Sequence, residues 1–401
     1  MNKTNKSKHS AAASLIGYLY QCRLALLETL KRLEANPNLT VAIETLDDVV
    51  FQSKGMPSEI IQVKHHVKRQ ASLTNASSDL WKTILIWCDL MESGVVQKSA
   101  VFCMMTTGTA SNGTAAYYLR AEGKDIDTAE KLLMQTAQTS VSQNNKKAYK
   151  RFLALTPELR RELLEYVVVL DKCSLNNDLN QLLQKEIWTA CHRSKTEQFL
   201  SYLEGWWFQR ILKSLTNDQF KPILGEELDS RLDTLREEFK NDALPIHDDL
   251  KTATADHELY SKNTFVHQLR IISIQEKRIS IAVNNYYRAF EQRSRWMRED
   301  LIIIGDIEDY EKRLIEEWEI QFERMREELG DDEAEEEKVK KAREIYNWVE
   351  KDADIPLRPR CKEPFLIRGS YHILSDKQKV GWHPEFRDRL KSILESKGVV
   401  K

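Results

Sequence analysis

The segment 59–66, EIIQVKHH, constrains the fold most, because an apolar run of strand length carries polar side chains near its middle. Side chains alternate between the two faces of a strand, so Gln62 and Lys64 point to one face and Ile61 and Val63 to the other. A short apolar run bounded by turn residues is typical of a strand buried in a sheet. An amide and an ammonium on one face of such a strand indicate a polar site.

Two further β-rich runs, 39–46 and 47–52, precede this segment, and Gly55 and Pro57 mark the turn between the last two runs. The remaining predicted elements of this part of the chain are helices at 17–33 and 77–91, a buried strand at 99–107, and a mostly helical stretch to about residue 225 that one more strand interrupts at 166–171. The order helix, three strands, helix, strand predicts an α/β core.

The length of 401 residues exceeds the usual size of one domain, so we expect two domains. Long, highly charged helices begin near residue 226, which places the predicted domains at 1–225 and 226–401, the second mainly α-helical. Its predicted elements are helices at 265–300 and 306–329, a β-hairpin-like segment at 365–386 and a last helix. The charge run at 330–341 is either a solvated helix start or loop, or an interaction tail.

The composition excludes several classes of protein. Lys and Arg number 60 and Asp and Glu 62, a formal net charge of −2, so any basic surface for nucleic acid must be local. The six cysteines include no CxxC pair, which argues against a zinc ribbon or a disulfide framework. The N-terminal apolar stretch is interrupted early, and no run approaches the ~18 apolar residues of a membrane span. We therefore expect a soluble, cytoplasmic protein without a signal peptide.

Polar residues cluster at one end of the three predicted strands. Glu44 ends the first run, Asp48 opens the second, and Gln62 and Lys64 close the third, so a meander brings them to one rim. Mg²⁺ or Mn²⁺ takes oxygen ligands, here Asp48, Gln62 and the backbone carbonyl of Val63. Lys64 would orient or help deprotonate a water and stabilise charge developing on phosphorus. The group suits hydrolysis of a phosphodiester.

These residues also carry a family resemblance. Asp48 followed, after about a dozen residues, by Gln62, Val63 and Lys64 resembles the PD-(D/E)xK signature of restriction-endonuclease-like nucleases, with glutamine in place of the middle acid. The stretches GYLYQCRLALLETL, VAIETLDDVVFQ and EIIQVKHH resemble the endonuclease domain of bacterial anti-phage effectors, including the double-stranded-DNA endonuclease of cyclic-oligonucleotide signalling systems. This resemblance covers about the first 225 residues. It implies an α-β-β-β-α-β core and a catalytic set of Asp48, Gln62, Lys64 and Glu44.

The second half has its own resemblance. The stretches FVHQLRIISI, NNYYRAFEQRSRW, EKRLIEEWE, IRGSYHILSD and VGWHPEF resemble the C-terminal domain of three-component ABC/SMC-type defence systems. Together, the two halves resemble the nuclease subunit of a Lamassu system, which acts against phage and plasmids. This resemblance implies an SMC-like ATPase and a small accessory subunit as partners. It also implies a nuclease that is held inactive, then released and activated by self-association, with a tetramer expected.

Two departures from the nuclease pattern keep an alternative open. Asp47 stands where a proline is usual, and Gln62 removes one negative charge, which predicts weak cation binding in the free protein; Glu44 offers a second carboxylate. A non-cleaving adaptor that links DNA to an SMC-like ATPase is the alternative. A purely structural interpretation of the motif is also open, in which Lys64 extends from the strand end into solvent and Asp48 is an ordinary turn residue.

Other conspicuous residues have open roles. His65 and His66 are structural or face DNA, and Gln21 either packs in its helix or approaches the site. The aromatic stretch 202–210 favours core packing over base stacking. The residues His372, Trp382 and His383 are predicted to form a small aromatic core or a partner-binding surface.

Overall fold

The computed structural model describes residues 6–44, 48–53, 56–64, 72–96, 99–173, 176–216, 221–330 and 333–396. The chain divides into two compact units, Met1–Leu235 and Arg236–Lys401. The division lies inside a helix, Gly225–Glu238, whose first residue is where the sequence analysis placed the end of the first domain.

The first unit has the predicted α/β class. Its strands are β1 (Thr40–Ile43), β2 (Val49–Ser53), β3 (Met56–Lys64), β4 (Val101–Thr106), β5 (Val167–Leu170) and β6 (Ile223–Leu224). Its helices are α1 (Lys6–Leu33), α2 (Ser78–Ser93), α3 (Ala115–Tyr118), α4 (Ile126–Thr139), α5 (Lys146–Ala154), α6 (Pro157–Tyr166), α7 (Asn176–Glu186), α8 (Thr196–Thr216) and α9 (Gly225–Glu238), with 3₁₀ turns at Gln143–Asn145 and Arg193–Lys195.

The strands form one mixed six-stranded sheet in the order β5-β4-β3-β2-β1-β6. The consecutive strands β1, β2 and β3 are antiparallel, while β4 and β5 run parallel to β3. The edge strand β6 pairs antiparallel with β1 and was not predicted, because two residues are too short to give a periodic signal. The end of β1, the start of β2 and the end of β3 therefore share one rim of the sheet.

One face of the sheet packs against α2 and the helices that follow β4. Its buried strand residues are Ala42, Val50, Ile60, Phe102, Met104, Val167 and Val169. Helix α2 contributes Trp81 and Trp87, both fully buried. Because Gln62 and Lys64 follow Ile60 along β3 by two and four residues, they belong to this same face.

Helix α1 covers the other face. The guanidinium of Arg32 donates to Glu59 Oε1 on β3 at 2.6 Å and lies 4.8 Å from the ring centroid of Phe51 on β2. Nearer the N-terminus of α1, the Arg23 guanidinium donates to Glu204 of α8 at 2.6 Å and to Asn180 of α7 at 2.8 Å. These bonds fix α1 between the sheet and α7–α8.

The second unit is helical in its described residues. Its helices are α10 (Asp248–Thr252), α11 (His257–Tyr260), α12 (Thr264–Ile271), α13 (Glu276–Arg298), α14 (Ile304–Glu328), α15 (Glu335–Lys351), α16 (Pro364–Asp376) and α17 (Phe386–Ser396). Two predictions made from the sequence are wrong in this unit: one concerns the segment 365–386, the other the segment 265–300.

The predicted β-hairpin at 365–386 is a helix, α16, over most of its length. Proline stands at its first turn, where proline favours a helix, and Gly369 lies inside it. A Cβ added at Gly369 would lie 2.1 Å from the backbone oxygen of Asn285 on α13. The glycine therefore permits close approach of two helices.

The single helix predicted at 265–300 is two helices, α12 and α13. Ser273 adopts a φ of 55°, which ends α12, and the N–H of Ile274 bonds back to the carbonyl of Leu269 at 3.0 Å. This left-handed cap ends α12 without a glycine, so composition gave no signal for it. Within the described residues, no helix combines the length and apolar character needed to cross a bilayer.

Candidate functional site at the sheet rim

The structure brings four of the predicted site residues to one rim of the sheet. Glu44 directly follows β1, Asp48 directly precedes β2, and Gln62 and Lys64 lie in the last three residues of β3. The register pairs Ile43 with Val49, and the next pair outward is joined by the Glu44 N–H, which donates to the Asp48 carbonyl at 3.1 Å. The pairing of β1 with β2, and of β2 with β3, thus places both carboxylates beside the end of β3.

Asp48 is bound to β3 through its side chain. Its Oδ2 accepts a hydrogen bond from the Val63 backbone N–H at 2.6 Å and a second, short one from the Gln62 Nε2 amide. Asp48 is half-buried, while Gln62 is 3% exposed. The carboxylate is therefore held across the strand pair in one orientation.

Gln62 has one buried atom without a partner. Its Nε2 donates to Asp48, but Oε1 is buried and has no hydrogen-bond partner among the described residues. An unsatisfied buried acceptor costs about 1–3 kcal/mol, so an oxygen in this position calls for an explanation. A cation or a water held beside Asp48 would satisfy it.

The charges of the rim residues influence one another. The pKa of the Glu44 carboxyl is raised, although the side chain is exposed overall, firstly because neighbouring atoms remove part of its hydration and secondly because of the charge of Asp48. The ammonium of Lys64 acts in the opposite direction. Two carboxylates that repel each other beside one lysine are an arrangement that a bound cation would stabilise.

Helix α1 also contributes residues that the sequence analysis did not single out. Tyr18 and Cys22 lie one turn apart on α1, and the pKa of Tyr18 is raised to about 12 and that of Cys22 to about 11, mainly by burial. The charge of Glu44 contributes to both shifts. Gln21, which we had considered for the site, is half-buried on the same helix. The spacing of four residues was the available signal, but apolar periodicity dominates this helix.

Helix α1 is fixed at this position by a buried tryptophan. The Trp207 indole N–H donates to the Cys22 carbonyl at 2.9 Å, and Trp207 is fully buried while Trp206 is half-buried. Core packing, predicted for the stretch 202–210, is confirmed for Trp207. The predictions for Asp47, His65 and His66 concern residues outside the described ranges.

The residues of the rim fit a divalent cation in type and number only if oxygens other than carboxylates take part. Among the described residues there is no group of three or more His, Cys, Asp and Glu side chains that could hold a metal ion. The rim offers two carboxylates, and the unpartnered Oε1 of Gln62 supplies a third oxygen. Mg²⁺ is commonly bound by one or two carboxylates together with waters and substrate phosphates, so the set fits.

The aromatic residues of the second unit are part of its core. His372, Trp382 and His383 are each at most 1% exposed, and burial lowers the pKa of the His372 imidazole to about 3. The prediction of a small aromatic core is therefore confirmed; the alternative of a partner-binding surface is wrong for these side chains.

The fold and the rim define a mixed α/β domain with a carboxylate, amide and lysine cluster, followed by a helical domain. Residues 265–390 match the model of a protein family, C-terminal domain 7 of the ABC-three component (ABC-3C) systems. The match supports membership of the chain in such a system. No curated protein and no solved structure matches the chain significantly.

Proposed function

We propose that this chain is the nuclease effector of an ABC-three-component defence system, a metal-dependent endonuclease that cuts double-stranded DNA. The observation that carries the proposal is the unpartnered Oε1 of Gln62 beside Asp48, at a rim that also holds Glu44 and Lys64. The matched C-terminal domain supports the assignment to such a system. An order of one helix, three antiparallel strands, one helix and a parallel strand is consistent with a restriction-endonuclease-like core.

Each residue has a role in this proposal. Asp48 and Gln62 would hold Mg²⁺ or Mn²⁺, together with the Val63 carbonyl and with Glu44 as a second carboxylate. The bound ion would polarise the scissile phosphate and acidify a water. Lys64 would place its ammonium against the phosphate oxygens, where it stabilises the negative charge that develops as the bond to the leaving oxygen breaks.

The partners follow from the type of system. An ABC ATPase subunit is the partner that the C-terminal domain match supports. We propose that this subunit is SMC-like, that it holds the nuclease inactive with the help of a small accessory subunit, and that release and self-association activate cutting. Restraint is needed because an unregulated endonuclease would damage the DNA of the host.

Cleavage of plasmid and linear duplex DNA by the full chain tests the proposal, with Mg²⁺ or EDTA and with or without the ABC ATPase subunit. We expect cutting that requires Mg²⁺. Lys64→Ala should reduce it about 10²–10³-fold, since it removes a group that stabilises the transition state. Lys150→Ala, an exposed lysine on α5, is the matched control and should cut like the wild type.

Cutting in EDTA, or equal cutting by Lys64→Ala and the wild type, would overturn this mechanism. The alternative function, a non-cleaving adaptor, is favoured by the neutral Gln62, whose amide N–H already satisfies Asp48 without a metal. The adaptor predicts no cutting under any of these conditions and defence against phage that is unchanged in Asp48→Ala and Lys64→Ala.

A further inference from the structure

One tryptophan of the α/β unit is placed unlike the others. All nine tryptophans lie in the described part of the chain; six are buried, Trp206 and Trp348 are half-buried, and Trp188 alone is exposed, at 56%. Trp188 follows α7 in the turn that leads to α8. A single exposed aromatic ring is ordinary on a protein surface, so its meaning depends on the groups that surround it.

Trp188 forms one wall of a cavity of about 470 Å³. The cavity lies between the end of α7 and the start of α8, which begins at Thr196 after the 3₁₀ turn Arg193–Lys195. Arg193 lies with its guanidinium carbon 5.8 Å from the Trp188 ring centroid. Lys185, also in the wall, is an exposed cation.

The cavity wall carries two cations, Lys185 and Arg193, against one carboxylate, Glu197, so its charge favours an anionic ligand. The cavity borders the start of the 21-residue helix α8, the end of a helix that attracts negative charge. Gln198 lines the cavity, and its Oε1 is buried without a hydrogen-bond partner in the described part of the chain.

We infer that this cavity binds one nucleotide unit, with an unpaired base against Trp188 and the phosphate against Lys185 and Arg193. Bases stack on exposed aromatic rings whatever their sequence, and arginine adds a planar cation beside the ring. The choice of a DNA strand over a free nucleotide as the source rests on the proposed function. An endonuclease with a net charge of −2 has little overall electrostatic attraction to DNA, so such a contact would strengthen its binding to a frayed end or a displaced strand.

Fluorescence anisotropy of labelled oligonucleotides tests the inference with the full chain. The probes are a single-stranded oligonucleotide, a blunt duplex and a duplex with an unpaired overhang, each competed with AMP and ATP. We expect the overhang duplex to bind more tightly than the blunt duplex. Trp188→Ala should remove that preference and weaken binding of the overhang about 5- to 100-fold, the effect of losing one base stack. Trp188→Phe should retain most of it.

The matched control is Phe290→Ala, which removes an aromatic ring that is 49% exposed in the other unit. Equal binding by Trp188→Ala and the wild type, or no binding of any oligonucleotide, would overturn the inference. So would a Trp188→Ala variant that keeps oligonucleotide binding but loses the ABC ATPase subunit, since the cavity would then serve a protein partner. Competition by AMP or ATP at the same affinity as the overhang would identify a free nucleotide as the ligand.

Failure of this inference and failure of the proposed function give different results. If the wild type cuts DNA in a metal-dependent manner but Trp188→Ala binds the oligonucleotides equally well, the proposed nuclease function stands and the nucleotide-binding role of the cavity does not. If the chain binds the overhang duplex through Trp188 but never cuts DNA, the nucleotide-binding role of the cavity stands and the adaptor is favoured over the nuclease.

Discussion

Carboxylates stand at conspicuous positions in both units, but their surroundings differ. Glu311 on α14 is 5% exposed, and three cations neutralise it: Arg293 at 2.6 Å, Lys377 at 3.0 Å and Lys379 at 3.3 Å. At the sheet rim, Asp48 is bound by a neutral amide and a backbone N–H, and a second carboxylate, Glu44, lies near it.

The pKa values reflect this difference. Burial alone would raise the pKa of Glu311, but hydrogen bonds from Arg293 and Lys377 lower it to about 2, whereas burial and the charge of Asp48 raise the pKa of Glu44. A carboxylate surrounded by cations is satisfied within the protein and holds helices together. The two rim carboxylates repel each other and have one lysine near them, so a bound cation would stabilise them further.

The largest effect on stability is expected at Glu311, the carboxylate with three cations around it. Glu311→Gln leaves the Arg293 guanidinium buried without its counter-ion, so the free energy of unfolding should fall by about 3–5 kcal/mol. Chemical denaturation followed by tryptophan fluorescence measures this. Glu308→Gln, an exposed acid on the same helix, is the control and should change stability by less than about 0.5 kcal/mol.

A second variant tests the cause of that effect. The double change Arg293→Met with Glu311→Leu removes both charges, so it should recover much of the lost stability. A double variant no more stable than Glu311→Gln would mean that packing, and not the ion pair, determines the result.

The dependence on pH should follow the same carboxylate. Because the pKa of Glu311 is lower in the folded chain than the usual 4.5, its ionised form stabilises the fold above pH 4.5, and this contribution is lost as pH falls towards about 2. The difference in unfolding free energy between wild type and Glu311→Gln should shrink across that window by roughly 3 kcal/mol. A difference that is constant with pH would contradict this assignment.

The smallest effect is expected at the rim. Gln62→Glu replaces the amide donor of Asp48 by a carboxylate, so without metal the free energy of unfolding should fall by about 2 kcal/mol. Mg²⁺ should reverse the loss, and should raise the Tm of the variant more than that of the wild type. Thermal unfolding with Mg²⁺ and with EDTA measures both.

The matched control for the rim is Gln52→Glu, at the opposite end of β2, where the new carboxylate still accepts from the Thr40 hydroxyl. It should show no added response to Mg²⁺. If the Tm of Gln62→Glu rises with Mg²⁺ no more than that of this control, the rim does not bind the cation. The proposed difference between the rim and the Glu311 cluster would then be contradicted.

Much of the rim could be predicted from the sequence because its information is local. Strand alternation fixes the faces of Gln62 and Lys64, and three consecutive antiparallel strands bring Glu44 and Asp48 to the same edge whatever the rest of the chain does. The class of the domain followed for the same reason.

The parts that were missed depend on distant contacts. Gly369 is identified as a helix-contact glycine only when Asn285 lies against it, and the approach of Tyr18 to Glu44 depends on how α1 crosses the sheet. The Glu311 cluster joins residues from α13, α14 and the turn after α16. No pattern within a single element records such contacts, and the catalytic roles at the rim stay predictions.

The order of strands in the sheet also has a consequence for synthesis of the chain on the ribosome. The three strands that carry the rim are complete by residue 64, but the partner that covers the outer edge of β1 is β6, where Thr40 pairs with Leu224. During translation of the intervening residues the outer edge of β1 has no partner strand from its own sheet. An unpaired edge can pair with another chain, so we expect the nascent protein to be most prone to aggregation in that interval.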